Sequence, residues 1–94
     1  MSTFDAPVRV LKALGHPLRL KIVAGLAKEP KCVRDIWSCL DLPQAVISQH
    51  LAMLKGSGII EGRRRGVEMH YTVIDPFAKS IIDLLEIDVS TTII

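Results

Sequence analysis

The sequence predicts a mainly α-helical domain with one small β-hairpin, in the order α-α-α-α-β-β-α, that is completed as a dimer. Apolar residues recur at helical spacing in five segments, and two of these, 33–40 and 44–55, are separated by only three residues. A third observation is an alternating stretch at 59–74 that contains three consecutive arginines and a glycine near its centre. Together these features predict a winged helix-turn-helix.

The composition indicates one small domain, 1–94, near the lower size limit for a chain that folds alone. The chain is 49% hydrophobic but only 4% aromatic, and small aliphatic helical domains often complete their core by association. The composition is compatible with a dimer but leaves its surface open. No apolar run approaches the roughly 18 residues of a membrane helix, and no signal peptide is recognisable. These observations predict a cytoplasmic protein with no membrane partner.

Charge is distributed unevenly along the chain. Residues 1–74 carry eleven lysines and arginines against six acidic residues, whereas residues 75–94 carry one lysine against four acidic residues. The body is basic and the C-terminal segment acidic, so we expect the two parts to face different partners.

Three helices outside the central unit follow from apolar periodicity. The first spans 4–14, with the repeat Phe4, Val8, Leu11 and Leu14. Pro17 begins the second, whose predicted buried face is Leu18, Ile22, Val23 and Leu26. The last spans about 76–88 and carries along one side Phe77, Ile81, Leu84 and Leu85. No structure is predicted for the tail, 89–94.

The central unit consists of helix 33–40, the turn 41–43 and helix 44–55. An apolar stripe marks the inner side of the first of these helices: Val33, Ile36, Trp37 and Leu40. In helix 44–55 the same spacing turns inward Ile47, Leu51 and Leu54. The opposite side, called the outer face below, consists of Gln44, Ala45, Ser48, Gln49 and Ala52.

The outer face has the character of a surface that enters a DNA major groove. Gln44 and Gln49 can pair with adenine edges, and Ser48 with several bases or a phosphate. The small side chain of Ala45 lets the helix approach the bases closely. His50 is expected to orient its neighbours by hydrogen bonding or to contact a phosphate.

Basic residues follow the central unit. Strands are predicted at 59–65 and 68–74, with a turn near Arg65-Gly66. Arg63, Arg64 and Arg65 at the tip can reach a minor groove or phosphates, and Lys55 adds a backbone contact. An arginine run alone is typical of a solvated edge strand. Placed after a helix-turn-helix, it predicts double-stranded DNA as the partner.

The chain also resembles the winged-helix repressors of the ArsR/SmtB type, from about Val8 to Leu85. The resemblance lies in ALGHPLRLKIVAGL, KCVRDIWSCLDLPQAVISQHLAMLKGSGII and RRRGVEMHYTV. Its most specific part is 48–51, Ser-Gln-His-Leu, followed by Leu54 and Gly58. The resemblance implies a homodimer formed by helices 4–14 and 76–88 that binds an inverted-repeat operator. It also implies release by a metal, metalloid or redox signal.

The metal ligands of the family are mostly missing. Cys32-Val33-Arg34 stands where some members have Cys-Val-Cys, and Asp75-Pro76-Phe77 where others have Asp-x-His. No histidine lies in residues 75–94. We therefore expect no metal site and no cofactor.

Cys32 has two interpretations. It is predicted at a helix N-terminus between Lys31 and Arg34, surroundings that favour a thiolate. The functional hypothesis is a redox-sensitive thiol, and the alternative is a capping residue without a signalling role. Titration of the native thiol distinguishes them, because only a sensor would react faster than free cysteine.

Catalytic patterns are absent from the sequence. It contains no glycine-rich phosphate loop and no nucleophile elbow, so we expect no enzyme. The second hypothesis for function is a winged helix used for protein–protein contact that has lost DNA binding. Acidic or bulky residues on the outer face would favour it, and the sequence has none there.

Overall fold

A computed structural model of the chain describes residues 3–28, 31–32 and 42–92, with side chains for 3–28 and 42–85. The elements are α1 (Asp5–Leu14), α2 (Pro17–Lys28), β1 (Lys31–Cys32), α3 (Gln44–Gly56), β2 (Ile60–Arg65), β3 (Glu68–Val73) and α4 (Pro76–Thr92). The predicted helix 33–40 and residue 41 lie outside the described residues. The other predicted helices and the hairpin are confirmed, with bounds that differ by one residue except at the end of α4.

A tight corner joins α1 to α2. The Arg19 Nε donates a hydrogen bond to the Ala13 carbonyl oxygen at 2.6 Å, which satisfies a carbonyl at the end of α1. At the start of α2 the His16 Nδ1 accepts a hydrogen bond from the Leu18 backbone N–H at 3.1 Å. Pro17 occupies the first helical position, where its missing N–H costs nothing. His16 therefore caps α2 with its side chain.

The hairpin of β2 and β3, called the wing below, is antiparallel. Its register runs from Ile60 opposite Val73 to Arg65 opposite Glu68. Gly66 lies in the turn with φ of 63°, a conformation that glycine adopts without strain. The predicted turn position is confirmed.

A third strand, β1, was not predicted. Lys31 pairs with Tyr71 and Cys32 with His70, so the sheet order is β1-β3-β2. This short strand, which follows α2, is an addition to the predicted order of elements. Cys32 itself has strand pairing with His70, and the helix predicted to begin after it lies outside the described residues. A strand of two residues is too short to show an alternating pattern in the sequence. It is recognised as a strand only by its pairing with β3.

The core lies where the helices meet the base of the sheet. Its fully buried large residues come from α2, α3 and the entry to β2: Val23, Leu26, Ile47, Leu54, Ile59 and Ile60. The inward trio predicted for α3 is confirmed, since Leu51 is also buried. In α2 the structure buries Ile22, Val23 and Leu26 and leaves Leu18 half-buried.

The apolar stripes predicted on the first and last helices are mostly exposed in the single chain. Phe4 is 70% exposed and Leu11 51% exposed, and on α4 Leu84 is 80% exposed. Each helix packs into the core through a neighbouring side, formed by Val10 and Ala13 in α1 and by Ala78 and Ile82 in α4. Leu14, the last residue of the predicted stripe in α1, is also buried. Two helices therefore present uncovered apolar surface.

The last helix is longer than predicted. It continues to Thr92 instead of ending near residue 88, so part of the tail is helical. It begins at Pro76, and the Asp75 Oδ2 accepts a hydrogen bond from the Ala78 N–H at 2.8 Å, which caps its first turn. Across the described residues, none of the helices has the length and apolar character needed to cross a membrane.

Candidate nucleic-acid interface

The outer face of α3 is exposed, as predicted. The side chains of Gln44, Ala45, Ser48, Gln49 and Ala52 are all exposed, while the opposite side of the same helix is fixed in the core. An α-helix of this kind fits the width of a B-DNA major groove. No charged or aromatic side chain on this face holds the backbone away from a partner.

The end of α3 fixes the direction of the wing. The Ser57 Oγ donates to the Met53 carbonyl oxygen at 2.9 Å, and the Ile59 N–H donates to the Leu54 carbonyl oxygen at 3.1 Å. Gly58 between them has φ of 78°, in the left-handed region. Lys55 is exposed in the last turn, where a cation interacts favourably with the helix dipole.

The three wing arginines are exposed but not equivalent. Alternation along β2 places Arg63 and Arg65 on one face of the sheet and Arg64 on the other. Arg63 forms an ion pair with Glu61 at 3.2 Å. Among the described side chains, neither Arg64 nor Arg65 has a hydrogen-bond or ion-pair partner. Two cations near the tip are thus available to a phosphate without the loss of an existing contact.

Gly62 is a structural requirement of the wing that sequence reasoning missed. A Cβ at this position would lie 3.0 Å from the Met69 Sδ and 3.0 Å from the Tyr71 Cε1. These two side chains from β3 therefore lie across β2 at the place where it has no side chain. Only the isolated glycine within a strand pattern could have indicated such a close approach.

His50 lies apart from the exposed outer face. It is half-buried, and its ring centroid lies 4.7 Å from that of His16, with the planes tilted by 52°. The contact joins the start of α2 to the middle of α3. The expected contact with a phosphate stays a prediction, and the structure adds a ring contact that can hold α3 in place.

Burial lowers the pKa of His50, and the nearby His16 and Arg19 lower this pKa further. The folded state therefore favours the neutral imidazole, whereas the unfolded chain binds a proton as the pH falls below about 6.5. The contribution of His50 to stability is present above that pH and is lost as the pH falls through the folded-state pKa.

We expect the free energy of unfolding to decrease between pH 7.5 and pH 5.5, and His50→Gln to reduce this pH dependence. Urea denaturation at several pH values and one protomer concentration measures it. His70→Gln removes a wing histidine instead and should retain the loss at low pH. Equal pH dependence of the wild type and His50→Gln would contradict the assignment.

Sites for metal ions were searched among the described residues. No group of three or more histidine, cysteine, aspartate or glutamate side chains there lies close enough to hold a metal ion. Cys39 lies outside the described residues. Cys32 is described only through its strand pairing with His70, so its redox role stays a prediction.

Comparison with known proteins places these features in a family. The model of the bacterial regulatory protein arsR family matches residues 16–61. The transcriptional repressor PagR of Bacillus anthracis is 40% identical over 84 residues, covering 88% of this chain and 84% of PagR. The transcriptional repressor SmtB of Mycobacterium tuberculosis is 39% identical over 71 residues, and the alignment covers 76% of this chain. This chain spans about half of SmtB, 53% of its length.

A solved structure shows the same architecture. It is the homodimeric winged helix-turn-helix DNA-binding domain of a possible ArsR-family regulator from Mycobacterium bovis, with a TM-score of 0.80 and 26% identity. The match covers 96% of this chain and 88% of that one. The winged helix-turn-helix fold class is thereby confirmed. The identity to PagR over most of both chains and the match at 16–61 show that this chain belongs to the ArsR family of bacterial regulatory proteins.

Proposed function

We propose that this protein is a DNA-binding transcriptional regulator, a homodimeric repressor of an inverted-repeat operator. One observation carries the proposal: the small, polar, exposed outer face of α3 lies beside a wing with two arginines, Arg64 and Arg65, that have no partner among the described side chains. Its relatives SmtB and PagR are transcriptional repressors, which supports the same role here. A regulator of this kind acts in the cytoplasm by occupying DNA, without catalysis.

In this proposal α3 supplies the contacts to bases. Gln44 and Gln49 pair with base edges in the major groove, and Ser48 contacts a base or a phosphate. Ala45 lies against the bases and excludes water. Glutamine amides pair with adenine through its N6 and N7 atoms, so we expect adenines within each half of the operator.

Lys55 and the wing supply contacts to the DNA backbone. Arg64 and Arg65 lie near the tip, where they reach a phosphate or the minor groove. Arg63 would have to exchange its ion pair with Glu61, a surface contact of small net energy. These contacts fix the orientation of α3 in the groove and contribute affinity for any DNA sequence.

The dimer in this proposal uses the exposed stripes of the helices 4–14 and 76–88. Phe4, Leu11 and Leu84 are large apolar side chains that are half or more exposed in one chain, and a second copy would remove them from water. A twofold axis between the copies presents two α3 helices in opposite directions. This symmetry matches an inverted repeat.

The proposed contacts to bases and to the DNA backbone lead to different expected effects of substitution. We expect Gln49→Ala to reduce the preference for the operator over unrelated DNA, because a good contact to a base contributes about 1–3 kcal/mol of discrimination. Arg64→Ala should weaken binding to all sequences by a similar factor. Selection of bound DNA from a random pool supplies the operator, and fluorescence anisotropy with operator and scrambled duplexes measures both effects.

If both substitutions lowered the affinity for operator and scrambled DNA alike, the assignment of α3 to the major groove would be wrong. Lys79→Ala is the matched control, since Lys79 is an exposed cation on α4, an element to which no DNA contact is assigned. It should leave both affinities unchanged. A winged helix that only binds proteins would show no preference in any variant.

A further inference from the structure

A basic cleft lies beside the proposed DNA interface, between α1 and the C-terminal half of α3. Its volume is about 540 Å³, within the range of about 300–1,000 Å³ typical of small-molecule sites. We call it the α1–α3 cleft, and its principal lining residues are Val8, Arg9, Lys12, Arg19, Met53 and Ser57.

The charge of the cleft is positive. Arg9 and Lys12 are exposed, and neither has a hydrogen-bond or ion-pair partner among the described residues. Arg19 is held in place by the hydrogen bond from its Nε to the Ala13 carbonyl oxygen. Among the described residues, no acceptor pairs with its terminal amino groups. The acidic residue that lines the cleft, Asp5, has an interaction of its own.

The remaining wall is apolar. Met53 is 50% exposed and Val8 is 42% exposed, and Ala13 forms part of the lining between them. A hydrated inorganic anion would leave these side chains in contact with water. An anion with a hydrocarbon body would cover them and place its charge against Arg9 and Lys12.

A second cleft extends the space for such a body. Its volume is about 390 Å³, and it shares Arg9 and Ser57 with the α1–α3 cleft. It continues along Pro7 and Val10 to the start of α4, where Phe77 and Asp75 line it and the Asp75 carboxylate caps the helix. A chain of several carbon atoms can therefore run from the basic residues along the apolar side chains of Pro7 and Val10.

We propose that the α1–α3 cleft binds a small organic anion, a carboxylate with an unbranched apolar body. At 100° per residue Met53 lies about 140° around the α3 axis from Ser48 but only about 40° from Gln49, so the cleft borders the outer face on its Gln49 side. DNA is a poorer candidate for this site, because a phosphate group, like an inorganic anion, would leave Val8 and Met53 in contact with water. The ligand would contact α3 at Met53, beside the outer face.

Titration of octanoate into the isotope-labelled protein without DNA tests the proposal by nuclear magnetic resonance. We expect the amide signals of Arg9, Lys12, Met53 and Ser57 to shift until saturation. Octanol, which lacks the charge, and inorganic phosphate, which lacks the apolar body, should each bind at least about tenfold more weakly.

A double variant provides a second test of octanoate binding in the α1–α3 cleft. Arg9→Gln combined with Lys12→Gln should lower the octanoate affinity roughly tenfold or more, because two charge-assisted contacts are lost. Both residues are exposed, so the core is unaffected, and circular dichroism checks the fold. Lys21→Gln, at an exposed lysine of α2 outside the cleft, should bind octanoate like the wild type. Lys12→Gln alone gives the same readout if the double variant does not fold.

The proposal is overturned if octanol or phosphate binds as well as octanoate, or if the shifts map to another surface. It is also overturned if the double variant loses DNA affinity while the wild type does not bind octanoate, since the cleft would then be a phosphate contact. DNA is absent from the titration. A failure of the proposed repressor function is therefore seen only in the DNA experiments and leaves this result intact.

Discussion

Raising the salt concentration from about 50 to about 200 mM is expected to lower the affinity of the dimer for duplex DNA by about 10³-fold or more. The reason is counterion release: each phosphate neutralised by the protein frees condensed cations, and the logarithm of the affinity falls with a slope of about 0.9 per contact. Lys55, Arg64 and Arg65 from each of two protomers give about six contacts. Anisotropy titrations at four or five salt concentrations give the slope.

Arg64→Ala sharpens this measurement. Loss of one contact from each protomer should reduce the slope by roughly 2, whereas Lys79→Ala should leave it unchanged. Weak binding that does not change with salt would contradict the repressor hypothesis and favour the protein-binding alternative. A steep slope that Arg64→Ala does not alter would place the phosphate contacts outside the wing.

Leu54→Ala is expected to have the largest effect on stability. Leu54 is 0% exposed and belongs to the cluster that joins α3 to the start of β2 at Ile59. Removal of a fully buried leucine side chain costs about 2–5 kcal/mol through lost burial and the remaining cavity. Total stabilities are only about 5–15 kcal/mol, so the variant is close to unfolding at physiological temperature. Urea denaturation at one protomer concentration measures the loss.

The neighbouring substitution Lys55→Ala is the control for Leu54→Ala. Lys55 is exposed on the same turn of α3, and its replacement should change the free energy of unfolding by no more than about 0.5 kcal/mol. A loss below about 1 kcal/mol for Leu54→Ala would show that α3 is not held by this contact. The DNA affinity of the Leu54→Ala protein that remains folded shows how strongly the position of α3 depends on its packing in the core.

Local periodicity was sufficient to predict α3 and its outer face. Ile47, Leu51 and Leu54 recur at helical spacing with polar residues between them, so burial of one side dictates exposure of the other. The contact between His16 and His50 could not be predicted in this way. These residues are distant in sequence, and only the packing of α2 on α3 brings their rings together.

For the helices 4–14 and 76–88, periodicity predicted the apolar residues but not which side of each helix faces the core. The periodicity of Phe4, Val8 and Leu11 predicted an apolar stripe, but the core uses the adjacent side of α1 with Val10 and Ala13. A helix with two apolar sides carries no local signal for which of them faces its own chain. The assignment of the other side to a second copy came from the family resemblance, and the exposure of Phe4 and Leu11 supports it.

The pairing of β3 on both edges has a mechanical consequence for the wing. At His70 and Tyr71 the strand is bonded to β1 on one side and β2 on the other, whereas beyond His70 toward the turn β2 is its partner among the described residues. The base of the wing is therefore held by pairing on both edges of β3. The tip, formed by the last two cross-strand pairs, is held by the pairing of β2 with β3 and is expected to bend more easily. Arg63 lies opposite His70 at the base, whereas Arg64 and Arg65 lie at the tip. In the proposed DNA complex, the cost of ordering on binding would therefore fall mainly on the tip, which can follow local variation in groove width.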